Sequence, residues 1–141
     1  MTPIHRKPIR MAKVIHSMIR VLDLERSMRF YADALGLTEA HRLDFPDFAL
    51  VYLRNAENDF EIELTLNKGR TEPYTHGTGY GHIAVVVSDV AATHAALCQQ
   101  GYECAPVKEF KRGEELLARF FFIQDPDGYK IEMLERHGHY Q

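Results

Sequence analysis

His16, Glu63, His82 and Glu132 are side chains of the kinds that bind divalent cations, and they recur in a fixed order. A histidine opens a segment and a glutamate closes it, twice over. Two imidazoles and two carboxylates form a mixed nitrogen and oxygen set that suits a first-row divalent metal, with open positions left for water or substrate if the geometry is octahedral. Such an ion acts as a Lewis acid. It stabilises the charge that develops when a carbon beside a chelating oxygen loses its proton, and a neighbouring carboxylate can carry that proton. Taken singly, each residue is weak evidence of chemistry. A lone strand histidine is more often half-buried imidazole, and a glutamate in an apolar strand is more often held by a salt bridge, because an unpaired buried carboxylate is costly. The symmetry of the set carries the reading, since independent structural accidents do not repeat.

That symmetry appears at an offset of 66 residues, where His16-Ser-Met-Ile-Arg-Val-Leu-Asp23 falls on His82-Ile-Ala-Val-Val-Val-Ser-Asp89. Each copy continues as a helix, from Asp23 as N-cap to a stop at Gly36 and from Asp89 to Gly101. The copies close with Phe60-Glu-Ile-Glu-Leu-Thr65 and Tyr129-Lys-Ile-Glu-Met-Leu134, which alternate with the period of a strand. In the first copy, His41 to Arg54 reads as a hairpin turning near Phe45-Pro46-Asp47, and a second turn spans Asn55 to Asp59. In the second, Tyr102 to Val107 reads as a short strand and Lys108 to Glu115 as a charged loop. Leu116 to Gln124 reads as a strand that the turn Asp125-Pro-Asp-Gly128 hands on to the last one.

Each copy is therefore βαβββ, and the fold class is α+β: two tandem modules, residues 13–66 and 80–135, forming curved mixed sheets. Residues 67–79, rich in Gly, Thr and Pro, form the linker, residues 1–12 a flexible arm and residues 136–141 a tail whose His137 and His139 fray. A repeat of this kind implies that one unit cannot bury its apolar face alone. Tyr31 and Phe30 belong to the core side of the first helix, while His76 and His94 read as surface residues.

The 141 residues are 45% hydrophobic and 26% charged, as in one ordinary domain or two fused half-domains. No apolar run approaches the roughly 18 residues of a membrane helix, so no membrane partner is expected and the cytoplasm is the default location. A net charge of −3 gives no electrostatic case for nucleic acid. Cys98 and Cys104 fit neither a CxxC redox pair nor a zinc ribbon and read as reduced thiols.

Three stretches carry a family resemblance: His16-x-Met-x-Arg20-Val; Ile62-Glu63-Leu-Thr-x-Asn67-x-Gly69; and Gly79-Tyr-Gly-His82-Ile-Ala with Asp125-Pro-Asp-Gly-Tyr-Lys-Ile-Glu132. Over residues 13–135 the chain resembles glyoxalase I, or lactoylglutathione lyase, of the vicinal oxygen chelate superfamily. The resemblance implies a lyase that converts the hemithioacetal of methylglyoxal and glutathione to S-lactoylglutathione by proton transfer through an enediolate. It implies His16, Glu63, His82 and Glu132 as metal ligands, with Glu132 the principal base and Glu63 the second carboxylate. Glu61 lies on the same strand face as Glu63, and only the family's Glu-Leu-Thr-x-Asn wording separates the two. A histidine at position 16 and the absence of inserted segments resemble the nickel- or cobalt-activated bacterial group more than the zinc-activated one.

Glutathione as part of the substrate requires cationic and amide groups near the metal. Arg20, four after His16, could clamp a carboxylate in bidentate fashion, and Asn67, four after Glu63, could offer an amide. Eukaryotic relatives carry an arginine four before the third ligand, where this chain has Thr78. The resemblance further implies a homodimer in which each site takes His16 and Glu63 from one chain and His82 and Glu132 from its partner. Two alternatives belong to other classes. One is a related chelate-fold metalloenzyme (epimerase, thiol transferase or dioxygenase), of which the dioxygenases generally use two histidines and one glutamate on iron and the thiol transferases carry a cation-rich pattern not seen here. The other is a metal-free small-molecule binding module, which would have lost the ligands.

Overall fold

The computed structural model describes residues 1–2 and 10–141, so most of the expected N-terminal arm, residues 1–12, lies outside the described residues. The first module runs β1 (His16–Val21), α1 (Leu24–Leu35), β2 (Thr38–Asp44), β3 (Phe48–Asn55) and β4 (Asn58–Asn67). The second runs β5 (Ile83–Val87), α2 (Val90–Gln99), β6 (Lys108–Arg112), β7 (Glu115–Gln124) and β8 (Lys130–Glu135). Each forms a four-stranded mixed sheet, in the orders β1-β4-β3-β2 and β5-β8-β7-β6, with the first and last strands of the module parallel and adjacent.

The caps fall where the sequence places them. Asp23 and Asp89 accept the backbone N–H groups of Arg26 and Ala92, each at 3.0 Å, satisfying donors that a helix start leaves free. Helix α1 ends at Gly36, whose φ of 64° is open to glycine at little steric penalty. Its buried residues Leu24, Ser27, Phe30, Tyr31 and Ala34 follow the period of one helical face. Against that face lie the even-numbered residues Ile62 and Leu64 of β4, with Val51 and Leu53 of β3 and Ile19 and Val21 of β1. The core is continuous into the second module through Val90, Leu97, Phe121, Ile123, Ile131 and Met133.

One expected strand is misplaced. Tyr102 to Val107 contributes only an isolated bridge between Cys104 and Ile123, and the expected charged loop is instead β6, paired with β7 through a turn at Gly113, where φ is 62°. All five residues of β6 are exposed, so this edge strand has no apolar face to reveal its period. The tail also differs. His137 and Tyr140 exchange backbone hydrogen bonds, and the His137 ring meets the Leu116 carbonyl at 2.9 Å, which folds residues 137–140 back onto β7.

The Asp125-Pro-Asp-Gly128 turn joins the two modules. Asp125 Oδ1 accepts the N–H groups of Asp127 and Tyr129 at 2.9 Å each, and Oδ2 accepts the buried Tyr31 hydroxyl of α1 at 2.7 Å. Asp127 accepts the Leu22 N–H at 3.1 Å and the Ser27 hydroxyl at 3.2 Å, while the Tyr129 hydroxyl donates to the Arg20 carbonyl at 2.9 Å. Burial pushes the Asp125 carboxyl upward against the hydrogen bonds that pull it down, and burial together with Asp125 pushes the Tyr31 phenol upward. Among the described residues no helix is long and apolar enough to cross a membrane.

Candidate metal centre

Strand alternation places the candidate residues of the first module on the sheet face away from α1. In the parallel pairing of β1 with β4, His16 lies opposite Glu61, Met18 opposite Glu63 and Arg20 opposite Thr65. In the second module Ala84 of β5 lies opposite Glu132 of β8. Both glutamates thus pair with the residue two positions after the module's histidine. This repeated register makes Glu63, rather than Glu61, the structural equivalent of Glu132, a distinction that strand alternation alone leaves open.

The two centres are furnished differently. Glu63 is buried, at 8% exposure, and its Oε1 accepts the Tyr52 hydroxyl at 2.5 Å across the β3–β4 pair. The His16 ring meets the same tyrosine edge-on, with centroids 5.6 Å apart, and His41 stacks on it at 6.0 Å. The hydrogen bond to Glu63, then burial, pushes the Tyr52 phenol up to about 12, so it remains a donor at neutral pH. In the second module the position opposite Glu132 is Phe122, which has no hydroxyl to offer. Glu132 keeps 18% side-chain exposure, its Oε1 lies 3.6 Å from His82 Nε2, and the His82 ring meets Phe122 edge-on at 5.4 Å. That carboxylate–imidazole separation exceeds an ordinary hydrogen bond, and one ion with bonds of about 2.1 Å could span both atoms.

Within one chain the four candidate ligands do not converge. Among the described residues, only His94, Cys98 and Cys104 form a group of three or more potential ligands whose donor atoms all lie within 4.8 Å of one another. The two candidate histidine and glutamate pairs thus belong to separate modules, whose strands form two separate sheets.

Arg20 and Asn67 share the face that carries Glu63. The Arg20 guanidinium forms no ion pair among the described residues and is exposed, whereas the Asn67 amide donates to the Tyr74 hydroxyl at 3.1 Å. Tyr52 and Phe122 escaped the sequence reading because their importance lies in cross-strand register. Tyr52 precedes Glu63 by eleven residues, beyond any local pattern. His76, expected at the surface, instead stacks on Tyr129 with centroids 4.2 Å apart, its Nε2 buried without a partner among the described residues. His94 likewise lies half-buried against Phe121 and the Ala105 carbonyl.

A family model described as the Glyoxalase/Bleomycin resistance protein/Dioxygenase superfamily matches residues 13–133. The lactoylglutathione lyase of Haemophilus influenzae is 41% identical over 131 residues, covering 87% of this chain and 92% of that protein. A probable lactoylglutathione lyase of Synechocystis is 39% identical over 130 residues, covering 86% and 94%. Among solved structures, the trypanothione-dependent glyoxalase I of Leishmania major has a TM-score of 0.72 at 35% identity, covering 89% of this chain and 87% of that one. With the duplicated βαβββ architecture and its paired histidine and glutamate positions, these likenesses show that the chain belongs to the Glyoxalase/Bleomycin resistance protein/Dioxygenase superfamily and, within it, to the glyoxalase I family.

Proposed function

We propose that this protein is a divalent-metal glyoxalase I working in the cytoplasm as a homodimer, converting the methylglyoxal–glutathione hemithioacetal to S-lactoylglutathione. The observation that carries this reading is the repeated register: equivalent His/Glu half-sites on two sheets that one chain does not bring together. Pairing the first module of one chain with the second of its partner would complete two sites, each with His16 and Glu63 from one protomer and His82 and Glu132 from the other.

The donor set fits a divalent ion, and the buried Glu63, whose one side-chain hydrogen bond among the described residues comes from Tyr52, retains a second carboxylate oxygen for it. When bound, the ion would supply Lewis-acid polarisation of two vicinal substrate oxygens, acidifying the carbon proton between them. Glu132 takes that proton and delivers it to the adjacent carbon; lacking a hydroxyl partner across the strand, its carboxylate is free to exchange protons. Glu63, fixed by Tyr52, positions the substrate and serves as the second carboxylate. Arg20, exposed on the same face, clamps a glutathione carboxylate, and Asn67 offers its amide to the peptide. Nickel or cobalt is favoured over zinc by resemblance to the bacterial group that carries histidine at the position of His16 and lacks inserted segments.

The test joins metal and assembly. Metal-stripped protein is inactive, and nickel restores product formation, followed by absorbance, more fully than zinc. His16→Ala and His82→Ala proteins, each inactive, regain activity when co-refolded, since a heterodimer places both lesions in one site and leaves the other intact. Heterodimers demonstrated by mass but devoid of activity would overturn the shared site.

A further inference from the structure

His94, Cys98 and Cys104 are not among the residues assigned to catalysis, and their donor atoms fall within 4.8 Å of one another. We propose that they form a second metal site, for a thiophilic divalent cation of the zinc type, held by two thiolates and one imidazole.

Three features of the fold build it. His94 and Cys98 stand four residues apart on α2, so their side chains share one helical face. Cys104 is carried beside them on the segment that the isolated bridge to Ile123 and the 3.0 Å bond from Ala105 N–H to the Phe122 carbonyl hold against β7. The third feature is the orientation of the imidazole. Its Nε2 lies 3.0 Å from the Ala105 carbonyl, so that Nε2–H donates there and Nδ1 keeps its lone pair. A ligating histidine whose other nitrogen is held by a carbonyl is the usual arrangement around protein-bound zinc.

Cys98 Sγ stands 3.8 Å from Nδ1 and 3.7 Å from Nε2, so with Nε2–H kept on the Ala105 carbonyl a change of the Cys98 rotamer brings the sulfur to the Nδ1 side, where the two share an ion. A separation of about 3.5 Å is what bonds of about 2.3 Å to sulfur and 2.0 Å to nitrogen subtend at a tetrahedral centre. Without metal, the Cys104 thiol is weakly held by the Tyr102 carbonyl at 3.7 Å, and burial first, then Cys98, keeps it protonated. Binding releases both thiol protons to solvent as two sulfur–metal bonds form, and leaves one tetrahedral position for water. Access is open: Cys98 is exposed, and Cys104 lines an open cavity of about 820 Å³ together with Glu103, Phe122 and Lys130. Thiolates favour zinc over nickel-type ions here, whereas the His/Glu set has no sulfur.

The test uses the full chain, metal-stripped and kept reduced with a phosphine, titrated with Co²⁺ and then with Zn²⁺. Expected is a near-ultraviolet thiolate-to-cobalt absorption that saturates by two ions per chain, the other ion going to the His/Glu site, vanishes on zinc addition, and is lost in Cys98→Ser and in Cys104→Ser. His94→Ala weakens cobalt binding at least tenfold, while His16→Ala leaves the band unchanged. Zinc also slows alkylation of both thiols at least tenfold. Because the His/Glu site contains no thiolate, failure there leaves this band in place and failure here leaves turnover in place. Absence of the band in reduced wild-type protein, its persistence in either serine variant, or a mass lower by two hydrogens showing a Cys98–Cys104 disulfide despite zinc and phosphine would overturn the site. Circular dichroism of the serine variants confirms that loss of the band is not loss of fold.

Discussion

The two modules share strand order, pairing sense and register, yet their glutamates live in different company. Opposite Glu63 stands Tyr52, hydrogen-bonded to it; opposite Glu132 stands Phe122, which offers only a ring edge to His82. One hydroxyl separates the two half-sites. The Glu63 carboxylate is buried and tied by that hydrogen bond, while Glu132 keeps 18% side-chain exposure and has no hydroxyl opposite it. On the proposed function, both modules keep an equivalent glutamate, and this one strand position would divide holding from proton transfer between them.

Removing each carboxylate in turn separates the two roles most strongly. Glu132→Gln should lower turnover by about 10²–10⁴-fold with the fold intact, since it deletes the proposed general base. Glu63→Gln should cost at least tenfold less once metal content is matched. Equal losses would mean that the two glutamates are equivalent ligands, and activity of the Glu132 variant within threefold of wild type would end its role as base.

Arg20→Ala comes next in expected size. A lost charge-assisted hydrogen bond is worth about 1.5–3 kcal/mol, so the Michaelis constant for the glutathione adduct should rise roughly tenfold or more, with turnover changed less. An unchanged constant would make Arg20 structural.

Exchanging the two cross-strand residues should give smaller effects. Tyr52→Phe should reduce kcat/KM by about tenfold, the equivalent of ~1.4 kcal/mol, and Phe122→Tyr should do the same by tethering Glu132. If Phe122→Tyr raises activity, the argument from freedom of the base is wrong. The tyrosine also predicts a pH effect on stability. Its folded-state phenol lies near 12, above the ordinary 10.0, so the bond's contribution is present below pH 10 and fades as pH rises through about 12. Denaturation midpoints measured across that window should fall in wild type and stay flatter in Tyr52→Phe.

Much of this architecture was legible in the chain. The repeated His-to-Asp segments, the Asp caps at 23 and 89 and the Phe45-Pro46-Asp47 turn are local signals, and each lies where the structure has it. Edge strands divide on the same principle: β2, entirely exposed, was marked by its proline turn, whereas β6, equally exposed, offered four charged residues around a single Phe110 and read as loop. What stayed hidden depends on pairing between distant residues. Tyr52 against Glu63, Asp125 against Tyr31 and His94 beside two cysteines arise from register and packing, which periodicity within a segment does not encode.

The turn from Asp125 to Gly128 has a consequence for the chain's continuity. Because it grips the start of α1 through Leu22, Ser27 and Tyr31, the halves are fastened to each other by side chains as well as by the peptide that runs from 67 to 79. That peptide contains no helix or strand beyond Asn67. Cutting it should therefore leave two separately made polypeptides able to find one another and reassemble, provided Asp125 and Asp127 are intact. The enzyme would then be a natural split protein, its covalent tether serving to raise local concentration rather than to define the fold.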